Sequence, residues 1–160
     1  MQSDIKTILY QAETDYLNHR DISLFKTHAA NMAKRLEVYK LLRDREIEIF
    51  QPIADEVSRI YSAEDPQLVE KALKHWLSIM RYCAMAMLLN NREYLQNSIL
   101  EWLTQMVQAH QMQSIENTIH DLLFSHLKKA LPSDRFALMQ PFLEQTQTIL
   151  SAKTTTTAGA

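Results

Sequence analysis

Glycine is almost missing from this sequence: the one example among 160 residues is Gly159, near the end. A turn that needs positive φ has no glycine to use elsewhere, so hairpins, phosphate-binding loops and dinucleotide fingerprints, which depend on glycine at fixed offsets, are poor readings. Cysteine is equally scarce. Cys83 stands alone, which excludes an internal disulfide framework and agrees with a reducing compartment. In Arg-Tyr-Cys-Ala-Met-Ala-Met its surroundings are largely apolar, so it reads as a packed, inert thiol with no base beside it. Charge of one sign is lacking too. The net charge is −2 with both signs interspersed, which leaves no electrostatic footprint for nucleic acid or an anionic membrane. The longest apolar run, Cys83 to Leu89, falls far short of the ~20 residues that cross a bilayer. The opening Met-Gln-Ser-Asp-Ile-Lys has no apolar stretch or small-residue cleavage site, so no signal peptide is expected. A soluble, cytoplasmic protein is the expectation.

What the sequence does have is helical patterning. Apolar residues make up 46% and charged residues 22%, an ordinary globular balance, and the length suits one domain burying roughly 70% of its unfolded surface. Ile5, Ile8, Leu9, Ala12 and Tyr16 recur at helical spacing and predict an amphipathic helix ending near Asn18. A second helix is predicted from Asp21, as N-cap, through Leu24, Phe25, His28, Met32, Leu36 and Tyr39. Residues 43–61 continue with Ile47, Phe50, Ile53 and Val57 inward and a bend or division at Pro52. Asp65-Pro66 is a strong start, and the pattern runs to Leu89, where Asn90-Asn91 stops it. Further helices are predicted over about 94–110, 114–131 and 133–151, the last containing Pro141. The run Thr154 to Ala160 is small and polar, so 152–160 is expected to be a disordered tail after a single domain over 1–151.

Catalytic and metal chemistry find little support in these residues. Among six histidines the densest group is His120, Asp121 and His126, but residues six apart on a helix diverge, whereas a helical zinc site offers ligands at i and i+4. Met80, Met85 and Met87 read as core at helical spacing. No carboxylate pair separates itself from solvated helix faces as an acid/base couple. No catalytic residue, no metal site and no enzyme are expected.

Ala12-Glu13-Thr14-Asp15-Tyr16-Leu17, followed by a helix carrying Lys34-Arg35-Leu36, resembles the opening of allophycocyanin and phycocyanin subunits. Ala72-Leu73-Lys74-His75-Trp76-Leu77-Ser78-Ile79-Met80-Arg81 is similar to that family's chromophore helix, Cys-Leu-Arg-Asp-Leu followed by two tyrosines, Leu and Arg. Asn90-Asn91 falls at the family's Ala-Gly-Asp turn, and Phe142 with Ile149 at its closing segment. The resemblance covers about residues 4–151, with a shortened loop around 62–66. It implies an all-α fold: a globin-like, phycocyanin-type helical domain with an N-terminal two-helix arm over about 3–31.

The departures from the family bear on function. Ala72 stands at the cysteine that carries the family's bilin, and a methyl group cannot form a thioether. The family's propionate-binding arginine corresponds to Lys74, which lacks the bidentate fork, and its pyrrole-binding aspartate to His75. Cys83 lies eleven positions on from Ala72, three turns away. The resemblance thus implies a bilin-free, non-enzymatic interaction protein of cyanobacteria with no cofactor. Its partner is itself, as a homodimer, or subunits of a phycobilisome, photosystem or photosynthetic assembly, and it reaches the thylakoid surface only through that partner. The implied interface is Ile5, Ile8, Leu9, Ala12, Glu13 and Tyr16 of the arm, with Arg81 pairing across the boundary to the acid. The alternative is a noncovalent carrier or sensor of a bilin or chlorophyll precursor, held by Lys74, His75 and Arg81.

Overall fold

The computed structural model describes residues 3–103 and 112–157. Among them the chain forms seven helices and no strand: α1 Ser3–Thr14, α2 His19–Asp44, α3 Glu46–Ile60, α4 Pro66–Leu89, α5 Arg92–Leu103, α6 Met112–Ala130 and α7 Ser133–Thr157. Polar side chains at the helix ends do the work that glycine cannot. Asn18 Oδ1 accepts from the Asp21 N–H at 3.0 Å, so the N-cap of α2 lies three residues before the expected Asp21. Asp65 Oδ1 accepts from Gln67 N–H at 2.9 Å with Pro66 at the first helical position, as the sequence predicts.

Asn90 closes α4 in the left-handed conformation, φ 49° and ψ 47°, the one positive φ among the described non-glycine residues. The Asn91 N–H returns to the Ala86 carbonyl at 2.9 Å, and its side chain then caps α5 by accepting from Tyr94 N–H at 3.0 Å. Two asparagines thus make the turn between α4 and α5 without a glycine.

The long apolar pattern of α4 makes it the axis of the body. It packs against α2, α3, α5, α6 and α7, and α3 also packs on α6. Val69, Ala72, Trp76, Ile79, Met80, Cys83, Ala84, Ala86 and Met87 are all buried along it, nearly all round the helix over its second half. Facing helices supply Ile53, Val57, Leu95, Ile99, Ile119, Leu123, Leu127, Met139 and Leu143, each fully enclosed.

Three expectations need correction. Pro52 does not divide the stretch over 43–61: it lies inside α3, which begins at Glu46 after a break at Arg45. Burial of Ile49, Phe50, Ile53 and Val57 around the proline outweighs the one hydrogen bond it removes. Because α3 starts afresh at Glu46, Ile47 falls on the opposite face from Ile49 and Ile53 and is exposed instead of inward. At the C-terminus, α7 continues through the threonine run to Thr157, past the expected end at residue 151, as an extension of a helix already nucleated. Residues 158–160, and the predicted helical stretch 104–110, lie outside the described residues.

Candidate partner-docking site

The arm is built from α1 and the first half of α2, joined through Asp15–Asn18. Among the described residues α1 packs on α2 and on no other helix. From Ile5 to Thr14 Ile8 is the one buried side chain, and from His19 to Glu37 none is buried. Burial on α2 begins at Val38 and Leu42, where the helix enters the body. Just before that point Glu37 accepts from Arg135 Nη2 at 2.6 Å and ties α2 to the start of α7.

Apolar surface is concentrated on this arm. Of eleven exposed large apolar side chains among the described residues, eight lie there: Leu9, Tyr10, Tyr16, Ile22, Leu24, Phe25, Met32 and Leu36. Ile22, Phe25, Met32, Leu36 and the half-buried Tyr39 fall at spacings of three, seven, four and three, which puts them on one face of α2. That face runs into a cleft of about 330 Å³ between α2, α3, α4 and α5, floored by Leu42, Met80, Ala84 and Met85 and flanked by Tyr39, Tyr82 and Tyr94. A contiguous apolar strip of this kind is what a partner-binding surface presents.

An ion pair sits at the cleft's edge. Arg81 donates through Nε to Glu46 Oε2 at 2.7 Å and through Nη2 to Glu46 Oε1 at 2.6 Å. The hydrogen bond from Arg81 holds the Glu46 carboxyl below its ordinary value, against a smaller opposing effect of burial. The same bond raises Arg81. Glu46 opens α3, where its charge also faces the positive helix end.

The implied interface residues therefore divide. Leu9, Ala12, Glu13 and Tyr16 are exposed on the arm, Tyr16 at 98%, and Ile5 is half-buried. Ile8 is a correction: at 3% exposure its side chain is covered within its own chain and offers no surface to a partner. Arg81 is exposed but is already engaged by Glu46. Sequence reasoning missed Glu46, because a pair 35 residues apart leaves no local signal. It did register Leu24, Phe25, Met32 and Leu36, as a helical stripe, without saying that the stripe stays open.

The tetrapyrrole candidates divide between two grooves. Lys74 pairs with Glu70 at 2.5 Å, and both line a shallow polar groove along α4 with His75, Lys71 and Ser78. Burial, helped by the nearby Lys71 charge, pushes His75 down to about 4, so its imidazole is neutral at ordinary pH. Arg81 belongs to the other cleft. Ala72, which the resemblance sets at the family's bilin-bearing cysteine, is 0% exposed. Cys83 is equally enclosed, its thiol 3.3 Å from Thr146 Oγ1, and burial pushes it up to about 12, which leaves no thiolate at ordinary pH. His120 and His126 point apart, the first bonded to Asp121 at 3.1 Å and the second to the Leu122 carbonyl at 2.9 Å.

No helix among the described residues is long and apolar enough to cross a membrane. Comparison with curated proteins gave no significant match. The model of one family, described as phycobilisome protein, matches residues 8–134, which takes in the second half of α1, the whole of α2 to α6 and the start of α7. That match spans well over half of the chain and agrees with its globin-like, all-α architecture, so the chain belongs to the phycobilisome protein family.

Proposed function

We propose that this chain is a bilin-free, non-enzymatic interaction protein of a cyanobacterium, and that its arm docks on another phycobilisome subunit. The observation that carries this reading is the open apolar face of α2, from Ile22 to Leu36, leading into the cleft beside Glu46 and Arg81. A 12-residue helix such as α1 is marginal alone, and one buried contact through Ile8 is little to hold it. A partner laid over the arm would cover both helices at once and remove the exposed side chains from water. The cleft edge carries charges that are already paired, Arg81 with Glu46 and Arg43 with Asp44. An apolar helix with few charges suits it. On this reading the protein is cytoplasmic and comes to the thylakoid surface only with its partner.

The test is sedimentation of the purified chain alone and mixed with isolated allophycocyanin or phycocyanin subunits. A complex is expected with one of them, lost in a Phe25→Asp, Leu36→Asp variant and kept in Ile60→Asp, which carries the same change on the body. A chain that stays monomeric in every mixture, or an arm variant that binds as well as wild type, would remove the reading. Colour in protein purified from a bilin-producing host would favour the tetrapyrrole carrier instead.

A further inference from the structure

We infer that the pigment-attachment position has been absorbed into the core of this chain, so that restoring a cysteine at residue 72 does not restore a pigment site. The inference concerns the body and stands whether or not the arm docks a partner. A linear tetrapyrrole held by a thioether needs its attachment atom at an open surface, with polar groups nearby for its propionates and nitrogens. Residue 72 lacks the opening, and the polar side chain one turn along, His75 at i+3, lines the outer groove instead. Ala72 is 0% exposed, and its neighbours at i−3, i+4 and i+7 on the same face, Val69, Trp76 and Ile79, are 6%, 1% and 2% exposed.

Trp76 is the decisive side chain. It lies one turn from Ala72 and meets His120 of α6 edge-on, with ring centroids 5.6 Å apart. His120 stacks at a tilt on Phe124 at 6.1 Å, and Phe124 meets Phe136 of α7 at 5.1 Å and 89°. An unbroken aromatic file thus joins α4 to α6 and α7 and holds α6 against this face of α4. Asp121 accepts from His120 Nδ1, which places the ring proton there and turns the ring's other nitrogen inward, where it is buried. The polar groups that should serve a pigment lie elsewhere. Lys74 and His75 face the shallow groove along the outer side of α4, Lys74 bound to Glu70, while Arg81 is held by Glu46 in a separate cleft. The loss of pigment is therefore a change in how the core is filled, of which the missing thiol is one part.

The experiment uses the full chain and a maleimide as probe, with the native Cys83 as an enclosed reference and Lys74→Cys as an exposed one. Labelled sites are located by mass mapping. We expect Lys74→Cys to label at once and Ala72→Cys to label at least ~100-fold more slowly, protected like Cys83 until denaturant is added. Ala72→Cys labelling within about tenfold of Lys74→Cys, with helical content intact, would overturn the inference, because it would show an opening at the position. Should Ala72→Cys fail to fold, Ala72→Leu decides. A position inside a filled core loses many degrees of melting temperature on such an enlargement, whereas an unchanged melting temperature shows free space and overturns the inference equally.

Discussion

The arm and the body use the same kinds of residue to opposite ends. In the body, Trp76, Ile79 and Met80 on α4 are at most 2% exposed, while in the arm Tyr10, Phe25 and Met32 are 70%, 45% and 54% exposed. The contrast is sharpest between neighbours: Ile8 is 3% exposed and Leu9 50%. The described part of the body closes on itself around α4. The arm hangs on the continuity of α2 into the body, with Val38 and Leu42 as its anchors and the Glu37–Arg135 pair beside them. With recognition assigned to the arm, as proposed, and stability to the body, substitutions in each should be read by different measurements.

The largest effect is expected from Trp76→Ala. Trp76 is 1% exposed and starts the aromatic file through His120. Truncating a buried tryptophan costs about 3–5 kcal/mol. At ~2–4 °C per kcal/mol for a chain of this size, the melting temperature should fall by roughly 10 °C. A scanning calorimetry trace shifted by a degree or two would mean that the body is not organised around α4 as described.

Next comes Glu116 on α6, whose carboxyl burial pushes up to about 7 from an ordinary 4.5. The direction of the pH effect follows from the raised value. The folded state favours the neutral acid, so this group supports folding fully below pH ~4.5, and that support is lost as the pH rises through 7. Glu116→Gln keeps the shape and removes the titration. It should gain ~1–3 kcal/mol over wild type at pH 8 and little at pH 4.5, as measured by denaturant unfolding at both. An equal gain at both values would point to packing as the cause.

Much of this division was legible in the sequence. The Asp65-Pro66 start, the Asn90 stop and the periodicity of α4 are local signals, and each matches the structure to the residue. Helical periodicity also identified the apolar faces of α1 and α2. It does not say whether a face is covered, since exposure depends on how much of it the neighbouring helices reach, and no residue from 19 to 37 is buried. The same limit explains Ile47, whose phase was reset by a break at Arg45 that has no strong sequence mark, and Glu46, whose meaning lies in Arg81 on another helix. Ala72 was identifiable as a missing thiol. That its position lies wholly within the core required the packing of α6 against α4.

A smaller effect is expected where arm and body meet. The Glu46–Arg81 pair has side chains 23% and 60% exposed, so Glu46→Gln should cost at most about 1 kcal/mol of stability. Since the Glu46 carboxyl is held below its ordinary 4.5, that contribution is present above pH ~4.5 and fades in acid. The informative readout is association. With Glu46 neutral, Arg81 is released to meet Glu13 from the arm of a second copy, so Glu46→Gln should strengthen self-association in sedimentation at several concentrations. Adding Glu13→Arg should cancel the gain, and the swap of Glu13→Arg with Arg81→Glu should recover part of it. If Glu46→Gln changes nothing and the swap recovers nothing, the contact between Glu13 and Arg81 is to be discarded.

The finest separation of arm from body is expected from Ile8→Ala. Losing a buried isoleucine ordinarily costs about 2–5 kcal/mol. Among the described residues α1 packs on α2 alone, so the chain with α1 detached keeps the core described for the body. The loss felt by global unfolding cannot exceed the free energy that holds α1 down, because beyond that point the variant simply populates the detached state. The melting temperature should therefore move by only a few degrees at most, while amide exchange within Ser3–Thr14 speeds up markedly and exchange in α4 stays as slow as in wild type. Leu9→Ala, one residue on, should alter neither exchange nor melting, since its side chain is already half in water. If Ile8→Ala lowers the melting temperature as far as Trp76→Ala does, the arm belongs to the cooperative core, and its exposed face would then have to be explained without a separate role in recognition.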